Sequence, residues 1–184
     1  MKRENKTIFV ILGFLSHENL SGYEIKKRID SSLSFFWGVG FGQIYPTLSQ
    51  MHKDGLVEKR SDYMGQKLER IIYSITEEGE IRLKEWLRLP VENEVIKFEI
   101  LLKLFFGSLL DTKTNIETIN SFKDKYSDQL SILNSFETEL KGIVKDSPDH
   151  IYYLLTVMFG EKVYKAYIEW AEESTKLLKG EQNL

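Results

Sequence analysis

The sequence contains no cysteine, only three prolines, and no apolar run long enough to cross a membrane. The absence of cysteine excludes thiol catalysis, cysteine-ligated zinc, iron–sulfur clusters and disulfide bonds. The longest apolar stretch, residues 101–110, is interrupted by Lys103 and is shorter than the roughly 20 residues that a membrane span requires. The polar N-terminus and the short apolar run behind it lack a secretory cleavage site. We therefore expect a cytoplasmic protein that does not bind membranes.

Residues that could form a catalytic or metal centre are sparse. The three histidines, His17, His52 and His150, are far apart, and none has a second histidine four residues away. No nucleophile, base and acid form a hydrolase-like set. The glycine-rich segment 37–42 is not followed by the Gly-Lys-Ser/Thr sequence of a phosphate-binding loop. The sequence thus predicts no enzyme, no metal site and no cofactor.

The composition is that of an ordinary globular protein, and its charge is distributed unevenly. The chain has 184 residues, of which 42% are hydrophobic and 29% charged, enough for one domain or two small ones. Residues 1–75 contain 11 basic and 8 acidic side chains, whereas residues 76–184 contain 14 and 20. A mildly basic front half and an acidic back half favour a division into two functions.

Three helices are predicted in the front half. The first covers residues 7–16, where apolar side chains recur at helical spacing. The second begins with a capping box, Ser21 to Glu24, and continues to about Ile29. The third covers residues 43–54, with Pro46 expected in its first turn and Gly55 ending it.

Two strands, residues 56–60 and 70–75, and a helix that begins at Thr76 follow the third helix. This order is that of a winged helix-turn-helix, whose third helix enters the major groove of DNA. We expect the polar side of the third helix, with Gln43, Thr47 and Gln50, to contact base edges. Gln50 is the best adenine reader among them, because its amide can form two hydrogen bonds with adenine.

Five sequence blocks resemble the PadR family of transcriptional regulators over about residues 7–88. They are Ile11–Leu15, Leu20–Ile25, Gly42–Leu48, Asp54–Val57 and Tyr73–Gly79. Segments 98–107 and 154–173 are similar to the long helical C-terminal domain of one branch of that family. The resemblance implies a homodimer that binds inverted repeats near promoters, usually as a repressor. It also implies that Tyr45 contacts the DNA backbone and that the wing is basic.

The wing departs from the family pattern, because Leu68 and Ile71 stand where proline and lysine are usual. Lys67 and Arg70 nevertheless remain, and we expect them to bind phosphates together with Lys53. The complete set of predicted DNA contacts is Tyr23, Gln43, Tyr45, Pro46, Thr47, Gln50, Lys53, Lys67 and Arg70.

The back half is predicted to be entirely helical, with helices over about 95–110, 114–144 and 149–179. Apolar residues in the middle helix recur at gaps of 3, 4 and 7, which is close to the seam of a coiled coil. The fold class is therefore mainly α with a small β-hairpin. We predict a winged helix-turn-helix DNA-binding domain at 1–88 and a helical C-terminal domain at 91–184, through which the homodimer forms.

Aromatic side chains supply a candidate site for a small aromatic effector, with core packing as the alternative. The set is Phe35, Phe36, Trp37, Tyr167 and Trp170. Two other functions remain open at this point. A wing that is less basic than usual and an acidic back half fit a winged helix that binds proteins and not DNA. The aromatic set fits a ligand sensor that acts through a protein partner.

Overall fold

A computed structural model describes residues 5–63, 69–92 and 97–180, which divide into two units, Met1–Asn93 and Glu94–Leu184. Its helical content and small antiparallel sheet confirm the fold class expected from the sequence. No helix within these ranges is both long and apolar enough to span a membrane.

The first unit consists of four helices and a three-stranded antiparallel sheet of order β1-β3-β2. The pairing of β1 with β3 was not predicted, because two residues show no strand periodicity. Leu20 of β1 lies opposite Tyr73, and Val57 of β2 lies opposite Ile75. The elements are α1 (Thr7–Leu15), β1 (Leu20–Ser21), α2 (Gly22–Ser32), α3 (Phe41–Lys53), β2 (Val57–Tyr63), β3 (Glu69–Ile75) and α4 (Glu77–Arg88).

Local sequence signals set several element boundaries as predicted. The Ser21 hydroxyl accepts a hydrogen bond from the Glu24 amide at 3.3 Å, and the Glu24 carboxylate accepts one from the Ser21 amide at 2.9 Å. Gly55, with φ of +73°, follows α3 in the left-handed conformation that favours glycine. Thr76 caps α4 by accepting a hydrogen bond from the Gly79 amide at 3.1 Å.

The start of α3 differs from the prediction. The helix begins at Phe41, two residues before Gln43, so Pro46 lies in the second turn and not in the first. A residue in the second turn of an α-helix normally donates its backbone amide hydrogen to the carbonyl oxygen four residues earlier. Proline has no such hydrogen, so the Gly42 carbonyl lacks its usual helical partner.

The core of the first unit lies between α1, α2, α3 and the sheet. The fully buried side chains Ile11, Ile25 and Leu48 come from the three helices, and Val57 joins them from β2. The Phe9 ring of α1 stacks on Trp86 of α4, with centroids 4.4 Å apart and planes within 5°. Burial on this scale fixes α3 firmly on the rest of the unit.

The second unit contains α5 (Glu99–Phe105), a 3₁₀ turn (Gly107–Leu109), α6 (Thr112–Ile143) and α7 (His150–Leu178). The first predicted helix of this half is interrupted, since Phe106 leaves the helical conformation. Asn115 of α6 donates a hydrogen bond to the Gly107 carbonyl at 2.8 Å and satisfies part of the broken end. Asp111 caps α6 by accepting hydrogen bonds from the Thr114 amide and hydroxyl.

Helices α6 and α7 pack along one another in the same chain. Ile119 and Leu133, two positions of the predicted coiled-coil seam, are buried together with Leu154, Val157 and Ala171 of α7. This part of the seam therefore serves packing within the subunit. Other apolar side chains of α7 remain exposed.

Candidate nucleic-acid interface

The outer face of α3 is polar and accessible. Gln43, Tyr45, Pro46, Gln50 and Lys53, all predicted contacts, are exposed on it. Ser49 is exposed on the same helix and was missed, although it follows Pro46 by three residues and Tyr45 by four. This surface offers amides, hydroxyls and one cation along about three helical turns.

Thr47 does not belong to that face, which corrects its predicted role in base reading. Only 5% of it is exposed, and its hydroxyl accepts a hydrogen bond from the Asn5 side-chain amide at 3.1 Å. The reason is geometric. The predicted base contacts at 43, 47 and 50 each stand one residue before a buried residue, at 44, 48 and 51, and one residue corresponds to a rotation of about 100° around a helix. The three side chains therefore border the buried face of α3, and Thr47 points inward.

Gln50 is exposed but already hydrogen-bonded. Its side-chain nitrogen donates to the Asp54 carboxylate at 2.8 Å, one helical turn further on. A base contact by this amide therefore requires that it leave Asp54. The exchange costs little at the surface, where water can replace the lost partner.

Tyr45 is positioned by a close approach to α2. A Cβ added at Gly22 would lie 2.8 Å from Cε1 and 3.2 Å from Cζ of the Tyr45 ring. Only glycine leaves room for the ring at this position. About half of Tyr45 nevertheless remains exposed. Tyr23, which follows Gly22 in the sequence, is exposed as well. The two tyrosines thus present hydroxyl-bearing rings near the start of α2.

Arg70, which was predicted to bind phosphates, forms an ion pair with Glu24 in this structure. Its Nη2 donates to both oxygens of Glu24, at 2.9 and 2.8 Å. Glu24 also accepts hydrogen bonds from the amide and hydroxyl of Ser21. The hydrogen bond from the Ser21 amide, aided by that from its hydroxyl and by the Arg70 charge, lowers the pKa of Glu24 against the effect of burial.

The cluster of Ser21, Glu24 and Arg70 connects the wing strand β3 to the first turn of α2. It compensates the arginine charge and holds the base of the wing in place. Lys67, the other predicted wing contact, lies outside the described residues. Exposed cations on α2, α3 and β2 include Lys27, Lys53, Lys59 and Arg60. Of these four, only Lys53 was predicted as a DNA contact.

The predicted aromatic effector residues are divided between the two units. Tyr167 and Trp170 line a cavity of about 160 Å³ in the second unit. Phe35, Phe36 and Trp37 belong to the first unit, where Trp37 packs against the core and the rings of Phe35 and Phe36 meet edge to face. The other lining residues of the cavity are Phe98, Ile100, Leu101 and Phe122.

Two of the histidines are engaged by backbone carbonyls. Nδ1 of His52 lies 3.1 Å from the Val57 oxygen, and Nδ1 of His150 lies 2.7 Å from the Ile143 oxygen. In the parts of the chain that the structure describes, no group of three or more potential ligands could hold a metal ion.

Comparison with known proteins assigns both halves. Residues 11–85 match the model of the transcriptional regulator PadR-like family, and residues 96–179 match the virulence activator alpha C-terminal model. The negative transcriptional regulator PadR of Bacillus subtilis is 31% identical over 173 residues, which cover 89% of this chain and 92% of that protein.

Solved structures agree with this match. The crystal structure of Bacillus subtilis PadR in complex with operator DNA has a TM-score of 0.85 at 30% identity, covering 96% of this chain and 99% of that chain. The complex of the same protein with p-coumaric acid has a TM-score of 0.76 at 28% identity, covering 95% and 99%.

Proposed function

Because the chain belongs to the PadR-like family of transcriptional regulators, we propose that it is a repressor that binds an inverted-repeat operator as a homodimer. The observation that carries the proposal is the exposed polar face of α3, mounted on a fully buried apolar face of the same helix. A helix held in this way can enter the major groove without rearrangement of the core.

In this proposal, Gln43 and Gln50 read base edges, with Ser49 between them on the exposed side. Tyr45 and Lys53 bind the phosphate backbone, and Tyr23 and Pro46 lie against it. Phosphate contacts position the protein on DNA, while the base contacts distinguish sequences. Arg70 contributes by holding the wing through Glu24 and not by donating its charge to a phosphate.

The homodimer is supported by apolar side chains of α7 that the described residues leave exposed. Ile151, Leu155 and Phe159 follow one another at intervals of four, so they share one side of the helix, and each is more than 40% exposed. A second copy that covers this face would bury it by two-fold symmetry. Two α3 helices about 34 Å apart would then match consecutive major grooves.

A small aromatic effector is the third part of the proposal. The structural neighbour bound to p-coumaric acid shows that one relative takes such a molecule. The cavity beside Tyr167 and Trp170 is the site we assign to it in this chain. Binding there would release the operator and relieve repression.

Gel-shift titration on the DNA upstream of the gene, over a range of salt concentrations and with random DNA as competitor, tests the proposal. Gln50→Ala should reduce the preference for the operator by roughly 1–3 kcal/mol. Asp54→Ala is the matched variant, because it removes both the negative charge and the acceptor that binds the Gln50 side-chain amide; it should keep the preference and bind more tightly.

Two outcomes would contradict this assignment. Equal weakening of operator and random DNA by Gln50→Ala would show that Gln50 does not read bases. Failure of a verified dimer to bind any DNA at low salt, with or without p-coumaric acid, would instead favour a regulator that acts through a protein partner.

A further inference from the structure

The cavity of the second unit has a lining without charge. It is formed by three aliphatic or phenyl side chains from α5 and its N-cap, Phe98, Ile100 and Leu101, and by Phe122, Tyr167 and Trp170 from α6 and α7. The aromatic rings contact one another at angles typical of ring packing. Phe98 meets Tyr167 edge to face at 5.4 Å, and Phe122 meets Trp170 in the same way at 5.6 Å.

Lysines next to the lining residues in sequence do not supply a positive charge to the lining. Lys123 pairs with Glu172 at 3.7 Å, and Lys103 pairs with Glu99 at 2.8 Å. Lys97 is exposed to solvent and lies outside the lining. Among the described residues, the lining offers no cationic partner, so a carboxylate buried against it would lose hydration without compensation, which is unfavourable.

We infer that the cavity selects uncharged, single-ring aromatic ligands and discriminates against aromatic carboxylates such as p-coumaric acid. This inference rests on the effector part of the proposed function and specifies its chemistry. It predicts that this chain answers a different class of signal from the relative whose structure holds p-coumaric acid.

The size of the cavity fits such a ligand. Its volume of about 160 Å³ is close to the roughly 150 Å³ of an engineered apolar cavity that binds benzene. Two lining side chains carry a polar group, the hydroxyl of Tyr167 and the indole N–H of Trp170, so one phenolic hydroxyl can be accommodated. Burial, with a further contribution from Tyr126, raises the pKa of Tyr167 and keeps its hydroxyl neutral at physiological pH.

Isothermal titration calorimetry on the full chain tests the inference with 4-ethylphenol and p-coumaric acid, which are both para-substituted phenols and of which only the second carries a carboxylate. We expect 4-ethylphenol to bind at least tenfold more tightly at pH 7. Leu101→Lys, at a position that is 49% exposed, places a cation in the lining and should reverse the order. Leu102→Lys is the matched control, since it lies on the same helix, is 62% exposed, and is outside the lining.

Equal or tighter binding of p-coumaric acid by the unaltered chain would overturn the inference, as would the absence of binding by both compounds. A reversal caused equally by Leu102→Lys would show that the cation does not act within the cavity. Gel shifts on the same samples separate this failure from failure of the proposed function. Operator binding that persists without phenol selectivity would refute only the ligand assignment.

Discussion

The two units of this protein treat their apolar side chains differently. In the first unit, residues from α1, α2, α3 and the sheet form one continuous core, and the side chains of Ile11, Ile25 and Leu48 have no solvent exposure. In the second unit, α6 and α7 bury one seam, while large apolar side chains remain on the surface of α5 and α7, such as Phe105 and Phe159.

This contrast indicates what each unit requires. The first unit completes its core within one chain and can hold α3 rigidly on its own. The second unit leaves apolar surface in contact with water. This exposure is unfavourable, because complete burial of a single leucine or phenylalanine side chain would stabilise the protein by about 1.5–3 kcal/mol. A second copy is the partner that we propose for this surface. In the proposed function, DNA recognition depends on the packing of the first unit, and pairing of half-sites depends on association through the second.

The largest expected effect is the loss of stability of the first unit when Gly79 is substituted. A Cβ there would lie 2.2 Å from the Leu56 carbonyl oxygen, which already accepts a hydrogen bond from the Thr76 amide and cannot easily move. Gly79→Ala should destabilise the first unit by about 3 kcal/mol, the upper end for overpacking, and abolish DNA binding. Urea unfolding monitored by Trp37 and Trp86 in a Trp170→Phe background measures this.

Gly13→Ala provides the control for that substitution. Gly13 also lies in a helix of the first unit, but a Cβ there would meet no atom within 4 Å. Helix propensity should then make this variant neutral or more stable by up to about 1 kcal/mol. A loss of the same size for Gly13→Ala would show that the contact with the Leu56 carbonyl does not account for the effect at Gly79, because backbone entropy favours alanine over glycine in a helix.

The next effect should come from the exposed face of the second unit. Phe159→Asp introduces a charge at a position that is 65% exposed in one chain. If a second copy covers this face, the charge would be buried on association, and dimer dissociation should rise at least tenfold. Sedimentation equilibrium measures the constant, and operator binding should weaken with it while thermal stability of the monomer changes little.

Leu87→Asp sharpens the comparison between the units, because Leu87 of α4 is equally exposed, at 65%, but belongs to the first unit. We expect this variant to remain as dimeric as the unaltered chain. Dissociation caused by Leu87→Asp and not by Phe159→Asp would move the dimer interface to the first unit.

Within the first unit, an ion-paired arginine can be compared with an exposed lysine. Lys53→Ala should lower the salt dependence of DNA binding by about one unit of slope, as expected for loss of one phosphate contact. Arg70→Ala should leave the slope nearly unchanged but destabilise the fold. A double-mutant cycle with Glu24→Gln should give a coupling of about 0.5 kcal/mol, since both side chains are about one-third exposed. An Arg70→Ala slope change equal to that of Lys53→Ala would restore Arg70 as a phosphate ligand.

Features that depend on short sequence segments were predictable. The capping box at Ser21, the left-handed Gly55 and the cap at Thr76 each follow from two to four neighbouring residues, and all three are confirmed. The resemblance to the PadR family is confirmed as well, because it depends on the order and spacing of several such segments.

Features that depend on contacts distant in sequence were not predictable in the same way. The Thr47 hydroxyl is hydrogen-bonded by Asn5, 42 residues away, and Arg70 is paired with Glu24, 46 residues away. Helical periodicity places Thr47 at the edge of the buried stripe without deciding its exposure. The cavity likewise combines α5, α6 and α7, so no single segment indicates its lining.

The smallest predicted effect is the pH dependence of the stabilisation that Glu24 provides. Its pKa in the folded chain is lowered, chiefly by the hydrogen bond from the Ser21 amide, whereas in the unfolded chain it should be near 4.3. The stabilisation is therefore complete above that unfolded value and is lost as the pH falls through the folded pKa.

The difference in unfolding free energy between the unaltered chain and Glu24→Gln should be about 0.5 kcal/mol at pH 7. It should shrink steadily below about pH 4.3, because the protonated carboxyl resembles the amide. Urea unfolding of the Trp170→Phe background at several pH values measures this, with the first unit as the fluorescent reporter. A difference that stays constant on acidification would show that Glu24 stabilises α2 through its shape and not through its charge.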